Sequence, residues 1–415
     1  MNALVPAKGY LAGISLVAGL LVLTPVGWAG DGPTSATNVT RVGHLDIEGG
    51  GMVDVRGGLA VIGHMSPPHA TSILDMSDPA RPPLLARIPT KPGTHSHKAR
   101  LCGTTLITNH ERYGGGQPGD KVGLGFFDVS DPRRPREVGF LSTGGQNGFG
   151  AGVHRFEADC GRKLVYAGGS ADGFQGQIAL IVDFSEPTQP REVGRWWLPG
   201  QRIGAGEEAG RGSGAFRVHH PSRWGDRLYV SLWTDGFAIV DISDLAKPRT
   251  VSRFAYQPLY QAPTHTALPL GRPIMDRRWL LVFDEDIAGG CRRPAPFMWV
   301  VDITHEQTPV PVANFQPPAT GDDARCEPGK RMGAHQPHEF VGRDNLVYAA
   351  WFSRGLRVID ISNPYLPSEV GHYVPSPIKG NQFAMSNDVF VDGRGLIYLI
   401  DRNDGLEILR FTRRP

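Results

Sequence analysis

A marked excess of charge of one sign is missing from this chain. Lysine plus arginine is 43, aspartate plus glutamate is 41, and the formal net charge is +2. That balance gives no electrostatic reason to expect nucleic acid as a partner. Long apolar runs are missing too: beyond the first 29 residues no segment reads as transmembrane. Familiar catalytic signatures are also lacking. There is no GxSxG elbow, P-loop, Rossmann fingerprint, haem CxxCH or HExxH in a supporting context. In contrast, the 54 glycines and 35 prolines suit many short strands joined by turns.

What the chain does contain is a repeat. Gly355 opens GLRVIDISNPYLPSEVGHY, a strand, a tight turn and a return strand. Related copies are SILDMSDPARPPLLARI from Ser72, GFFDVSDPRRPREVGFL from Gly125 and ALIVDFSEPTQPREVGRWW from Ala179. FAIVDISDLAKPRTVSRF from Phe237 and MWVVDITHEQTPVPVANF from Met298 complete the series. The first strands end on Asp75, Asp128, Asp183, Asp241, Asp302 and Asp360, spaced 53 to 61 residues apart. A seventh copy, GLEILRFTRRP from Gly405, has Arg410 in place of the aspartate and no return strand. TRVGHLDI, from Thr40 to Ile47, looks like a return strand standing alone near the start. If the two pair, the sheet edges close into a ring. The expectation is an all-β, seven-bladed β-propeller spanning residues 40–415 as one domain, fastened by its N-terminal strand. The aspartates precede Ser-Asp-Pro-like turns and should cap them by accepting backbone N–H groups, a structural role.

Residues 1–29 read as a signal peptide: Lys8, an apolar stretch from Tyr10 to Leu23, and small Gly27 and Ala29 before Gly30. An uncleaved anchor is the alternative. Residues 30–39 read as a linker. The mature protein is expected to be periplasmic or extracellular, and monomeric. Four cysteines fit an oxidising compartment. With strands A to D running outward in each blade, Cys102 and Cys160 fall in A–B turns of neighbouring blades. Cys291 and Cys326 fall in long loops of the opposite face. Pairs Cys102–Cys160 and Cys291–Cys326 are sensible, although four cysteines allow three pairings.

Strand A lines the channel of a propeller. Counting back from each strand B, one position holds His97, His154, His220, His265 and His338, five of the 14 histidines. Asp388 takes that place in the last blade. Imidazoles on rigid strands provide neutral donors with preset spacing and an open coordination position, so this series is the candidate metal set. Copper or zinc is the expected ion. The competing reading is a wet polar channel or an organic-ligand site. Near the same mouth lie His110, Glu111, His335 and Arg354, candidates with Asp388 for orienting ligands or substrate. Glu285 and Asp286 are the candidate general base or catalytic acids. Trp233 and Trp351, at strand B ends, suit either a pocket floor or blade packing.

The copies ALIVDFS, FAIVDIS, MWVVDIT and LRVIDIS closely resemble the LVIVD repeat family of exported β-propellers. That resemblance implies the fold far more than an activity. A more distant similarity, carried by His97, His154, His220, His265 and His338, is to the selenium-binding protein and methanethiol oxidase family. It implies a central metal site and, in some members, copper-dependent oxidation. The cysteine-rich signature of that family is not recognisable here. Two functions follow as expectations. One is a metal-dependent enzyme, an oxidoreductase or a hydrolase. The other is a non-catalytic propeller that binds a small ligand or protein partner on its loop face.

Overall fold

The turn in each repeat is built by its aspartate. This computed structural model describes residues 32–413, apart from 115, 145–150, 209–216, 257–261, 288, 290–293 and 319–324. In it, all six aspartates accept the backbone N–H two residues on, from Ser77 to Asp75 at 2.9 Å through Ser362 to Asp360 at 2.8 Å. These bonds hold the Asp75, Asp128, Asp183 and Asp241 carboxyls below their usual range. The aspartates are turn caps, as the sequence indicates.

The capped turns join strands into seven antiparallel sheets, the blades of a propeller. The first is Gly50–Arg56, Leu59–His64, His69–Asp75 and Leu84–Pro89, in that order. The seventh is Ser386–Val391, Leu396–Asp401 and Gly405–Phe411, with Val39–Leu45 as its outermost strand. Val39 pairs with Phe411 and Leu45 with Leu406. The segment expected as a linker is partly ordered as well. Ser35–Thr37 adds a fifth strand to the sixth blade, alongside Ser368–Val374. Asn38, at φ 56°, turns the chain from one blade to the next and donates to Val370 O at 2.9 Å. Among the described residues no helix is long and apolar enough to cross a membrane. The expected signal peptide lies outside the described residues.

The core is divided among the junctions between blades. Alternate strand residues meet those of the neighbouring blade in seven apolar clusters, one for each junction. The cluster between the seventh and first blades joins Tyr398, Ile400 and Leu406 to Val53, Ile62 and Leu74. The glycine of the EVG motif has a packing cause. A Cβ at Gly194 would stand 1.7 Å from Leu245 O, and one at Gly139 2.0 Å from Pro187 O. These two outer strands thus run against the backbone of the next blade's turn. Cys102 and Cys160 form a disulfide across the second and third blades, with Cα atoms 5.1 Å apart. Cys326 is also disulfide-bonded, and Cys291 lies outside the described residues.

One irregularity positions everything that follows. The innermost strand of every blade carries an extra residue at its start. Pairing skips Gly51, His154, His265 and Asn387 in the first, third, fifth and seventh blades. In the fourth, His219 and His220 lie together opposite Ser231, since His219 N donates to Ser231 O and Ser231 N to His220 O. In the sixth, His335 and Gln336 lie opposite Ala350. In the second, the register slips between His95 and Ala99, around His97. A bulge re-aims the side chain it carries. Five blades in succession place a histidine on it.

Candidate metal centre

The bulges bring six imidazoles into an unbroken arc. Ring centroids lie 4.3 Å apart for His95–His97, 4.9 Å for His97–His154 and 4.8 Å for His154–His219. The arc continues at 4.2 Å for His219–His265 and 4.3 Å for His265–His335. His95 comes from the two-residue strand Thr94–His95, and the others are bulge residues. Burial lowers the pKa of His97, His219, His265 and His335 well below the usual imidazole value. It also lowers His154 to about 4, against the opposing pull of Glu111. These rings are neutral at physiological pH, the form that ligates metals.

Their hydrogen bonds fix which nitrogen is bare. His219 Nδ1 donates to His265 O at 2.8 Å, and His335 Nδ1 donates to Asn387 O. A carbonyl accepts only, so each Nδ1 carries the proton and each Nε2 has a free lone pair. Two groups of donors result. His95, His97 and Glu111 form one, and His219, His265 and Glu285 the other; within each, one donor atom per residue lies within 4.8 Å of the rest. Two imidazoles and a carboxylate form a donor set suited to zinc or to non-haem iron.

Glu111 is the busiest acid of the site. Its Oε2 accepts from His95 Nε2 at 2.8 Å and from His154 Nδ1 at 2.7 Å. Burial opposes its ionisation, but His154, His95 and Arg217 outweigh that and hold the carboxyl well below its usual range. The other nitrogen of His95 faces Met65 O at 3.0 Å, so both nitrogens meet acceptors. The space between His95 Nε2 and Glu111 therefore carries a proton or a cation. Glu285 stands 3.7 Å from His335 Nε2 and 4.0 Å from His265 Nε2. Burial raises its pKa, although Arg402, Arg217, Arg331 and Lys98 pull it back.

Three aromatic residues wall the arc. Tyr113 stacks on His95 at 4.5 Å, Trp233 on His219 at 5.1 Å and Phe352 packs on His335 at 4.5 Å. Trp233 at φ 59° and Phe352 at φ 38° hold left-handed conformations that bulky side chains seldom adopt. Such strain persists only where the surroundings enforce it, and it concentrates at ligand sites.

The structure brings together His97, His154, His265, His335, Glu111 and Glu285 from the sequence candidates. It does not bring in His220 or His338. The bulge gives His219, not its neighbour, the position on the arc. His220 turns one layer deeper, with Nε2 3.7 Å from Glu339. His338 lies three residues past the bulge, packs on Phe390 at 5.1 Å and lines a separate cavity of about 420 Å³ at the opposite end of the channel. His110 packs on Phe140 at 5.5 Å with Nε2 3.1 Å from Thr108 Oγ1, away from the arc. Asp286 is a loop fastener that accepts from the N–H groups of Met332, Gly333 and Gly289. Arg354 is another, donating to Pro317 O and Pro318 O. Asp388 accepts from Val53 N at 3.0 Å in the deeper layer, and burial raises it to about 6. Trp351 is fully buried blade packing against Phe283 and Phe315.

The charged partners of that deeper layer, Arg100, Arg155 and Glu339, are absent from the sequence candidates. Glu339 binds the Arg100 guanidinium and lies 2.6 Å from Arg155 Nη2, while Arg155 itself is fully buried. The available signal was adjacency, since Lys98, Arg155 and Glu339 each directly follow a histidine of the series.

Comparisons with known proteins support the fold and no more. The sequence model of the LVIVD repeat matches residues 174–197, 224–255 and 343–374, which contain the copies ending on Asp183, Asp241 and Asp360. No curated protein matches the chain. Among solved structures, a chain of a mitotic checkpoint complex is similar at TM-score 0.54 and 12% identity, covering 97% of this chain and 99% of that one. A structure titled U3-55K is similar at TM-score 0.57 and 11% identity, covering 90% and 98%. A chain of hydrazine synthase from Kuenenia stuttgartiensis is similar at TM-score 0.56 and 9% identity, covering 89% and 98%. At such identities the likeness is one of architecture.

Proposed function

We propose that this LVIVD-repeat propeller is an exported metalloprotein whose histidine arc holds a transition metal and whose activity is metal-dependent. The observation that carries the reading is the pair of donor groups, His95–His97–Glu111 and His219–His265–Glu285, in which burial favours the neutral form of His97, His219 and His265 and a carbonyl anchors the His219 Nδ1. Copper or zinc is the proposed ion, and oxidase-type chemistry is the finer form of the proposal. A metal with an open position supplies Lewis acidity or, for copper, a redox couple. The protein's own part is to fix the donors on rigid strands and to wall them with Tyr113, Trp233 and Phe352. Export is supported by the Cys102–Cys160 disulfide, which persists in oxidising compartments.

The test is metal content of the mature protein, purified without chelator and offered copper and zinc, beside a His97→Ala, His265→Ala double variant. The substitutions remove one imidazole from each donor group. Stoichiometric metal in wild type and its loss from a variant that still gives an all-β circular dichroism spectrum is the expected result. Equal content in the two proteins, or none in wild type, would reject the proposal.

A further inference from the structure

The histidine end of the channel carries more positive charge than its own acids balance. Three arginines surround it. The Arg217 guanidinium lies 4.5 Å from the ring centre of Trp233, which itself stacks on His219. Arg331 and Arg402 lie 5.0 and 5.2 Å from the ring centre of Phe352, which packs on His335. Each arginine is thus held against an aromatic wall by a cation–π contact. Arg217 is steadied through Nε by Gln177 at 3.0 Å, and Arg402 through Nε by Asn387 at 2.6 Å. No hydrogen bond among the described residues occupies their terminal Nη groups or the Arg331 guanidinium. One layer below, Lys98 is 3% exposed and has no ion pair among the described residues. Arg155, fully buried, leaves Nε and Nη1 without a hydrogen-bond partner.

Among the described residues, the acids within the arc are Glu111 and Glu285, with Asp401 acting on Arg402 from beside it. If both serve as ligands, their charge is committed to the ion. Arg217, Arg331 and Arg402 are half-buried, and a guanidinium fork matches the two oxygens of a carboxylate or an inorganic oxyanion. We infer that the ligand entering the histidine end of the channel is a small oxyanion, held by Arg217, Arg331 and Arg402 beside the metal position. The inference rests on the proposed function in taking the arc as the ligand site, and adds the chemical class of what binds there. Aromatic stacking fixes each guanidinium in advance, so little side-chain freedom is lost on binding.

Titration calorimetry tests this with benzoate, inorganic phosphate and the neutral isostere benzamide, on metal-free and metal-loaded protein. Wild type should bind at least one anion and bind benzamide far more weakly, with the metal-free protein retaining measurable anion affinity. The tighter of the two anions separates an organic carboxylate from an inorganic oxyanion. Replacing Arg217 and Arg331 together by glutamine should weaken the anion by roughly ten- to a hundredfold, the effect of losing hydrogen bonds to a charged group. Metal content should be unchanged. Arg331→Gln alone, which removes no internal hydrogen bond, guards against misfolding and should still weaken the anion several-fold. Equal binding of benzamide and benzoate, unchanged anion affinity in the variants, or no anion binding in either metal state would overturn the inference. Anion binding by protein that never takes up metal would uphold it while rejecting the metal reading.

Discussion

Substituting Glu339 by glutamine should unfold the propeller at a lower urea concentration, and the loss should vanish in acid. Glu339 joins the second, third, fourth and sixth blades through the channel, receiving Arg100, Arg155 at 2.6 Å and, at 3.7 Å, His220. Arg155 is fully buried and Arg100 nearly so. Removing one partner of a buried charge pair costs about 3–5 kcal/mol, because the other charge is left uncompensated. Glu339 keeps 23% of its side-chain surface on the cavity, so solvent screens part of the loss and the lower end, about 3 kcal/mol, applies. Burial alone would raise its carboxyl, but Arg100 and Arg155 overcome that and hold it well below the usual range. A depressed folded-state pKa contributes stability that is complete above the unfolded value of about 4.3 and is lost as pH falls through the lower folded value. The gap between wild type and Glu339→Gln should therefore be full at neutral pH and narrow in increasingly acidic buffer. Urea is the denaturant to use, since guanidinium chloride would screen the charges. Coincident urea midpoints at neutral pH, or a gap that widens in acid, would refute the reasoning.

Two further outcomes follow from the packing. Gly194→Ala places a Cβ 1.7 Å from the Leu245 carbonyl and should cost about 1–3 kcal/mol in urea unfolding by overpacking, whereas Gly393→Ala, with nothing within 4 Å, should be near neutral. Protein unfolded without reductant should show no reactive thiol at Cys102 or Cys160, and Cys102→Ser should lower the thermal midpoint because a cross-link over 58 residues no longer restrains the unfolded chain.

The repeat made the fold legible. Its aspartates must recur because every turn needs the same cap, and its strands must recur because every blade fills the same slot. The candidate site was only half legible, for a local reason. Counting back from strand B assumes an unbroken two-residue alternation, and one bulge shifts that count. Hence His219 takes the place expected of His220, while His97, His154 and His265 stand where the count puts them; in the sixth blade the inner strand pairs only over Gln336–Pro337, so the count lands three residues past His335, on His338. The layer beneath was hidden for a different reason. Arg155 and Glu339 are 184 residues apart, so their partnership exists only across the closed channel. Glu111 was visible as an acid beside the mouth, but its position between His95 and His154 depends on strands from two blades.

The pairing of Val39–Leu45 with Gly405–Phe411 also bears on the order in which the protein is made. The first of these strands is synthesised some 360 residues before its partner. Until then its edge has nothing to bond, and the first and sixth blades each lack a finished neighbour. Blades one to six can stack as they emerge, since each needs only the blade before it. The seventh sheet alone must wait for both its early and late strands. A nascent chain therefore keeps Val39–Leu45 unpaired, an edge that chaperones and proteases can engage until Gly405–Phe411 covers it. Pairing of Gly405–Phe411 with Val39–Leu45 is thus the step that joins the first-made and last-made strands of the ring.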